Sequence, residues 1–176
     1  MDEAVSPESD GLERDRPESD RPGSDLPTGV PPHVQIWTDG GCKPNPGPGG
    51  WAALLRFGAH ERELSGYAAE TTNNRMELTA AAEALEALRK PCRIDLHTDS
   101  EYLRNGVTRW HQGWVRRNWR NAAGDPVANM DLWKRILEAE KRHEVAWHWV
   151  RGHSGQPENE RVDVLATRAR EERHGT

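Results

Sequence analysis

VQIWTDGGCKPNPGPGG, residues 34–50, begins as a strand and runs out into glycine. Val34, Ile36 and Thr38 alternate with Gln35, Trp37 and Asp39, the two-residue period of a β-strand, and Asp39-Gly40 reads as the start of a Gly-rich turn. Outward from it, two more short strands are predicted near 50–57 and 61–67. Between Asn74 and Arg89 the period becomes helical, with Ala81, Ala84, Leu85 and Leu88 as an apolar stripe that Pro91 terminates. Residues 93–98 read as a strand, 100–106 as a short helix, and 129–141 as a helix with Met130, Trp133, Ile136 and Leu137 on one face. Residues 144–150 form another strand, and Pro157 opens a last helix whose buried side carries Val162, Leu165, Ala166 and Ala169. Three opening strands followed by alternating helices and strands predict an α/β layer fold.

The chain has 176 residues and a net charge of -5, a balance that argues against a polyanionic partner until it is split at residue 30. Residues 1–30 hold nine acids and three arginines, a net of -6, so the remainder carries 20 acids and 21 bases and is +1. A nucleic-acid partner therefore stays open for the folded part. Residues 1–32 are rich in Pro, Ser, Asp, Glu and Arg with almost no large apolar side chain, so burial cannot offset their ordering entropy. They are expected to be a disordered acidic tail, either a plain solvated appendage or a segment that mimics nucleic acid and competes weakly for a basic face, or docks a partner. Residues 33–172 are expected to be the single catalytic domain. Cys42 and Cys92 form no C-x-x-C pair, which points to a reducing compartment, the cytoplasm. No apolar run is long enough to cross a membrane or to serve as a signal peptide.

Four carboxylates stand in four separate segments: Asp39 in TDGGCKPNPGPGG, Glu77 in TTNNRMEL, Asp99 in TDSEY and Asp163 in RGHSGQPENERVDVLA. Asp39 follows the first strand and Asp99 the fourth, and ligands of open α/β sheets bind beyond the carboxyl ends of strands. Each acid has a plain alternative. Asp39 can be a turn residue, Asp99 a helix cap, Asp163 a solvated charge, and Asn74 to Glu77 has capping-box spacing. The apolar stripe of the helix, extended back one turn, lands on Glu77, and a carboxylate aimed at a sheet needs a partner. A hard divalent cation shared with Asp39 and Asp99 supplies one.

His153, in Arg151-Gly-His-Ser-Gly155, lies in a glycine-flanked loop before the helix bearing Asp163, where an imidazole can move protons near neutral pH. Leu103 to Gly124 contains Arg104, Arg109, Arg116, Arg117, Arg120, Trp110, Trp114 and Trp119 and no acid, a mixture suited to phosphates and the sugar or base faces beside them. The competing account makes the tryptophans core and the arginines a solvated face. Asn45, Asn73, Asn74 and Arg75 are candidates for base-edge, 2′-hydroxyl and phosphate contacts.

Taken together, TDGG with NPGPGG, TTNNRMEL, TDS and GH-x-G-x-x-x-NE-x-x-D closely resemble bacterial type 1 ribonuclease H, from about Val34 to Ala169. The resemblance implies a ribonuclease H-like fold, a mixed five-stranded sheet flanked by helices, and endonucleolytic hydrolysis of the RNA strand of RNA–DNA hybrids to 5′-phosphate and 3′-hydroxyl ends. It implies two Mg²⁺ ions, replaceable by Mn²⁺, held by Asp39, Glu77, Asp99 and Asp163, with His153 assisting proton transfer and product departure, in a monomer without an obligatory protein partner. It also implies minor-groove contacts from Cys42, Asn45, Asn73 and Asn74, and a DNA-phosphate grip by Thr72, Arg75 and Asn45. Trp110, Trp114, Arg116 and Arg117 would cradle the DNA strand.

The chain departs from the family pattern in three places: an arginine- rather than lysine-rich protrusion that includes Asn118, an additional acid at Glu101, and the acidic tail. The same four acids would also serve a junction resolvase or integrase of similar fold, and a non-catalytic hybrid-binding protein is a further rival. TTNNRMEL and NPGPGG favour hybrid cleavage over the first. Retention of all four acids argues against the second, since carboxylates facing phosphate weaken binding unless metal neutralises them.

Overall fold

A computed structural model describes residues 30–152 and 155–173. The tail reading and His153 thus fall outside the described residues, apart from the last few positions of the tail. The sheet is mixed and five-stranded, as expected, in the order β3-β2-β1-β4-β5. Strand β1 (His33–Cys42) pairs antiparallel with β2 (Gly47–Phe57), which pairs antiparallel with β3 (His60–Thr71). On its other side β1 runs parallel to β4 (Arg93–Thr98), and β4 runs parallel to β5 (Glu144–Trp149). Parallel neighbours require a crossover, and α1 (Asn73–Glu86) carries the chain from β3, at one edge, across to β4 on the far side of β1.

The alternation in residues 34–39 sorts the core. Val34 and Ile36 join Leu55, Leu78, Ala81, Leu85 and, from α4 (Met130–Glu140), Trp133 and Ile136 in one cluster. Trp37, with Ala52 and Leu54, faces the opposite way and packs against Val162 and Ala166 of α5 (Pro157–Glu172). Asp39 belongs by parity to the Trp37 side, which turns it toward α5.

Three predictions need correction. Gly40 and Gly41 do not form a turn but stay in β1, paired with Trp51 and Gly50, and the strand continues to Cys42. Second, α1 stops at Glu86 rather than Arg89, because the Leu88 amide closes a tighter last turn on Leu85 O at 3.3 Å. Third, the short helix near 100–106 does not end there. α2 (Glu101–Asn105) passes through a π-helical turn at Gly106–Trp110 into α3 (His111–Arg116). Beyond α3, Asn118 and Trp119 both take positive φ, 58° and 64°, and this turn lays the Trp119 ring back on Trp114 at 5.9 Å.

Candidate active site

The carboxyl ends of β1 and β4 lie side by side, so Asp39 and Asp99, one residue past the last β4 position, emerge together. Glu77 joins them from the second turn of α1. The cap of that helix is Thr72, whose hydroxyl accepts the Arg75 amide at 3.1 Å, so the Asn74–Glu77 capping box does not form and the Glu77 side chain is free to reach the sheet. Ligand oxygens of Asp39, Glu77 and Asp99 all lie within 4.8 Å of one another. Asp163, on α5, lines the same cleft of about 250 Å³ and comes within hydrogen-bonding reach of Asp39.

Such crowding is hostile to ionisation. Burial first, then the Asp99 charge and the contact with Asp163, push the Asp39 carboxyl up to about 8, although the Gly40 amide donates to Asp39 Oδ1 at 2.9 Å. Glu77 is raised well above the usual carboxylate range, by burial and then by Asp39 and Asp99. Its Oε1 is sealed from solvent with no hydrogen-bond donor in reach. A buried carboxylate oxygen without a donor, facing two more acids, is the environment a hard divalent cation satisfies. The residues present therefore fit the metal that the acid spacing suggests. Glu101 is not part of the cluster; it stays exposed on the first turn of α2, behind the Ser100 cap.

The metal-free cluster has a pH signature. A folded-state pKa above the unfolded one means that the folded protein holds its proton more tightly. The stability this confers is complete below about pH 4 and is lost as pH climbs toward 8, by up to about 1.4 kcal/mol per pH unit for one such group. His97 and His143, held down mainly by burial, act in the opposite direction near neutrality, so the informative quantity is the difference made by metal. The rise in Tm on adding Mg²⁺ is expected to be larger at pH 8 than at pH 5.5. Scanning calorimetry with and without chelator checks it, and an equal or smaller gain at pH 8 would contradict the cluster electrostatics.

Beside the acids, the β1–β2 hairpin and the start of α1 interlock. The Cys42 amide donates to Asn73 Oδ1 at 2.9 Å, the Asn73 amide donates to Asn45 Oδ1 at 3.2 Å, and the Cys42 thiol points at Asn45 Oδ1 at 3.2 Å. Asn45, Asn73 and Asn74 are exposed. Arg75 grips Asp131 through both terminal nitrogens at 3.1 and 2.8 Å and also reaches Asn129 Oδ1 at 3.1 Å. The tryptophans divide between the two accounts given above. Trp114 packs on Trp133 at 5.1 Å against the main core, whereas Trp110 is exposed, its ring 5.9 Å from Tyr102. Arg109, Arg116 and Arg117 are exposed and have no carboxylate partner among the described residues, unlike Arg56, Arg75, Arg135 and Arg161.

Sequence reasoning missed Arg170 and Thr167, which line the acid cleft from α5. Their signal was present in the spacing, because residues four and seven positions after Asp163 share its helical face.

The fold class is shared with solved ribonucleases H. LC9-RNase H1, a type 1 RNase H, superposes with a TM-score of 0.73 at 33% identity, over 85% of this chain and 75% of that one. LC11-RNase H1, solved in complex with RNA/DNA hybrid, is alike in fold, with a TM-score of 0.61 at 23% identity over 80% of this chain and 98% of that one. The chain belongs to the ribonuclease H family, whose RNase H model matches residues 31–171. Among its relatives, the Ribonuclease H of Acidiphilium cryptum is 78% identical over 138 residues, 78% of this chain and 86% of the relative. That of Gluconobacter oxydans is 75% identical over 145 residues, covering 82% and 97%.

Proposed function

We propose that this chain is an endoribonuclease that hydrolyses the RNA strand of RNA–DNA hybrids, leaving 5′-phosphate and 3′-hydroxyl ends. The observation that carries the reading is the convergence of the Asp39, Glu77 and Asp99 oxygens within 4.8 Å, in a chain so close to proteins named Ribonuclease H. Asp39, Glu77, Asp99 and Asp163 would hold two Mg²⁺ ions, with Mn²⁺ as a substitute. When bound, such ions activate the attacking water and neutralise charge on the departing 3′-oxygen.

The remaining steps belong to the protein's own groups. His153 moves the proton to or from the reacting oxygens. Gly152, the residue before it in sequence, lies against the cluster, since a Cβ there would stand 2.8 Å from Asp99 Oδ2. With their Oδ1 atoms engaged inward, Asn45 and Asn73 have Nδ2 donors left for a 2′-hydroxyl or base edge, beside Cys42 and Asn74. The Thr72 hydroxyl accepts from the Arg75 amide and keeps its own proton for a DNA phosphate. Arg75 spends three hydrogen bonds on Asn129 and Asp131 and retains donors for the same phosphate. Trp110, with Arg116 and Arg117, which are unpaired among the described residues, offers a stacking face and cations to the DNA strand; Trp114 supports Trp110 from beneath, 6.1 Å away. Because all four acids come from one chain, the proposal is for a monomer. Among the described residues no helix is long and apolar enough to cross a membrane.

The test is cleavage of end-labelled RNA–DNA hybrid in Mg²⁺ beside single-stranded RNA, double-stranded RNA and double-stranded DNA, with Asp99→Asn as control. Hybrid-only cleavage, lost in Asp99→Asn with hybrid binding kept or improved, is the expected result. Cleavage of DNA junctions, or binding without cleavage, would transfer the chain to a resolvase-like or a non-catalytic role.

A further inference from the structure

The cleft that gathers the acids is also lined, among the described residues, by one cation, Arg170. Arg170 lies two turns beyond Asp163 on the same face of α5, about 10 Å further along the axis at 1.5 Å per residue. Its backbone is pinned there. α5 crosses β2 so closely at Gly50 that a Cβ on that glycine would stand 2.3 Å from Ala166 O and 2.6 Å from Arg170 N, which leaves no room for a side chain between helix and strand. Gly50 pairs with Gly41, so Arg170 is held beside the β1–β2 hairpin next to Cys42, close enough for its charge to act on the Cys42 thiol.

The Arg170 side chain is 22% exposed, and its one ion pair among the described residues is a 3.4 Å contact to Glu171, its own sequence neighbour and largely solvated. That pair is too exposed to satisfy a guanidinium. Arg56, Arg75, Arg135 and Arg161, by contrast, each grip a carboxylate at 2.9 Å or less. Thr167, one turn before Arg170, lines the same cleft.

We propose that Arg170 and Thr167 form a phosphate subsite that holds a non-scissile phosphodiester of the strand being cut, next to the one that enters the acid cluster. A guanidinium fork matches two phosphate oxygens, and a threonine hydroxyl can donate to one of them. The subsite also answers an electrostatic problem, because a polyanion approaching four carboxylates is repelled and a fixed cation at the cleft wall offsets part of that repulsion.

The inference rests on the hybrid-cleavage reading, and the experiment separates the two. In the full-length chain, Arg170→Ala is expected to raise KM for RNA–DNA hybrid about tenfold while kcat changes less than threefold. It is also expected to flatten the slope of log(kcat/KM) against log[salt] by roughly one, as loss of one phosphate contact does. Arg170→Lys should recover the salt slope and part of KM, since it keeps the charge and loses the fork. A residue that served only to fasten α5 would leave the salt slope where it was. Arg170→Gln, which keeps the stem and helix propensity, replaces the alanine variant if that variant fails to fold by circular dichroism. Unchanged KM and salt slope in the folded variants, with a wild type that cuts hybrid, would overturn the subsite alone; a wild type that does not cut hybrid would overturn the reading beneath it.

Discussion

Glu77→Gln is expected to reduce hybrid cleavage by about 10³-fold or more while making the metal-free protein more stable at pH 8. The two effects have one cause. Glu77 places a sealed oxygen, without a donor, against Asp39 and Asp99, and its carboxyl is raised well above the usual range by burial and by those neighbours. An amide of the same shape carries no charge, donates to the neighbouring carboxylates, and binds a hard cation poorly. Lewis-acid stabilisation is worth several kcal/mol, and 1.36 kcal/mol is a factor of ten, so its loss gives about 10³. Without metal, the same change removes a carboxyl that costs stability at pH 8 whether it stays charged among like charges or must hold a proton there, so unfolding of the variant at pH 8 in chelator should shift to higher temperature. Single-turnover cleavage and thermal melts on one preparation read both. A variant that keeps more than a tenth of wild-type cleavage, or that melts lower in chelator, would show that Glu77 is not the pivot of the cluster.

Much of this arrangement was legible in the sequence because it follows from period. The alternation of Val34 to Asp39 assigned both faces of the central strand correctly, and the apolar stripe of α1, carried back one turn, pointed at Glu77. Two positions that depend on approach distance were not legible. Asp39-Gly40 has the composition of a turn, yet the strand runs on through it because the glycine admits the neighbouring helix at Met76, and no local pattern encodes a contact with a residue 36 positions away. The competition for capping α1 was likewise hidden: Thr72 and Asn74 are both good caps, and Thr72 wins because its hydroxyl meets the Arg75 amide while Asn73 is drawn into the hairpin by Cys42 and Asn45. Arg170 was overlooked since a basic residue near the end of a charged helix usually belongs to solvent, and only the closeness of α5 to β2 makes it a wall of the cleft.

Gly40→Ala tests how far that closeness sets the chemistry. A Cβ on Gly40 would lie 2.5 Å from the carbonyl carbon of Met76, 2.6 Å from its oxygen and 2.8 Å from its Cβ. Backbone cannot swing aside as a flexible side chain does, so α1 must shift off β1 by a substantial part of an ångström. Overpacking of this kind costs about 1–3 kcal/mol. The functional effect is expected to be larger, because the displaced turn carries Glu77 while Gly40 follows Asp39, so the cluster opens between the two. A misplacement of about 1 Å lowers rates by roughly 100-fold. The expected result is a lower Tm with kcat reduced about 100-fold. More Mg²⁺ should be needed for half-maximal rate. Gly41→Ala is the control. It lies one residue on in the same strand, but its added carbon would meet only Asn73 Oδ1 at 3.4 Å, an ordinary contact, and activity should fall less than tenfold. If Gly40→Ala cleaves hybrid at the wild-type rate, the distance between β1 and α1 does not control the site, and the carboxylates must regain their spacing by moving independently of the elements that carry them.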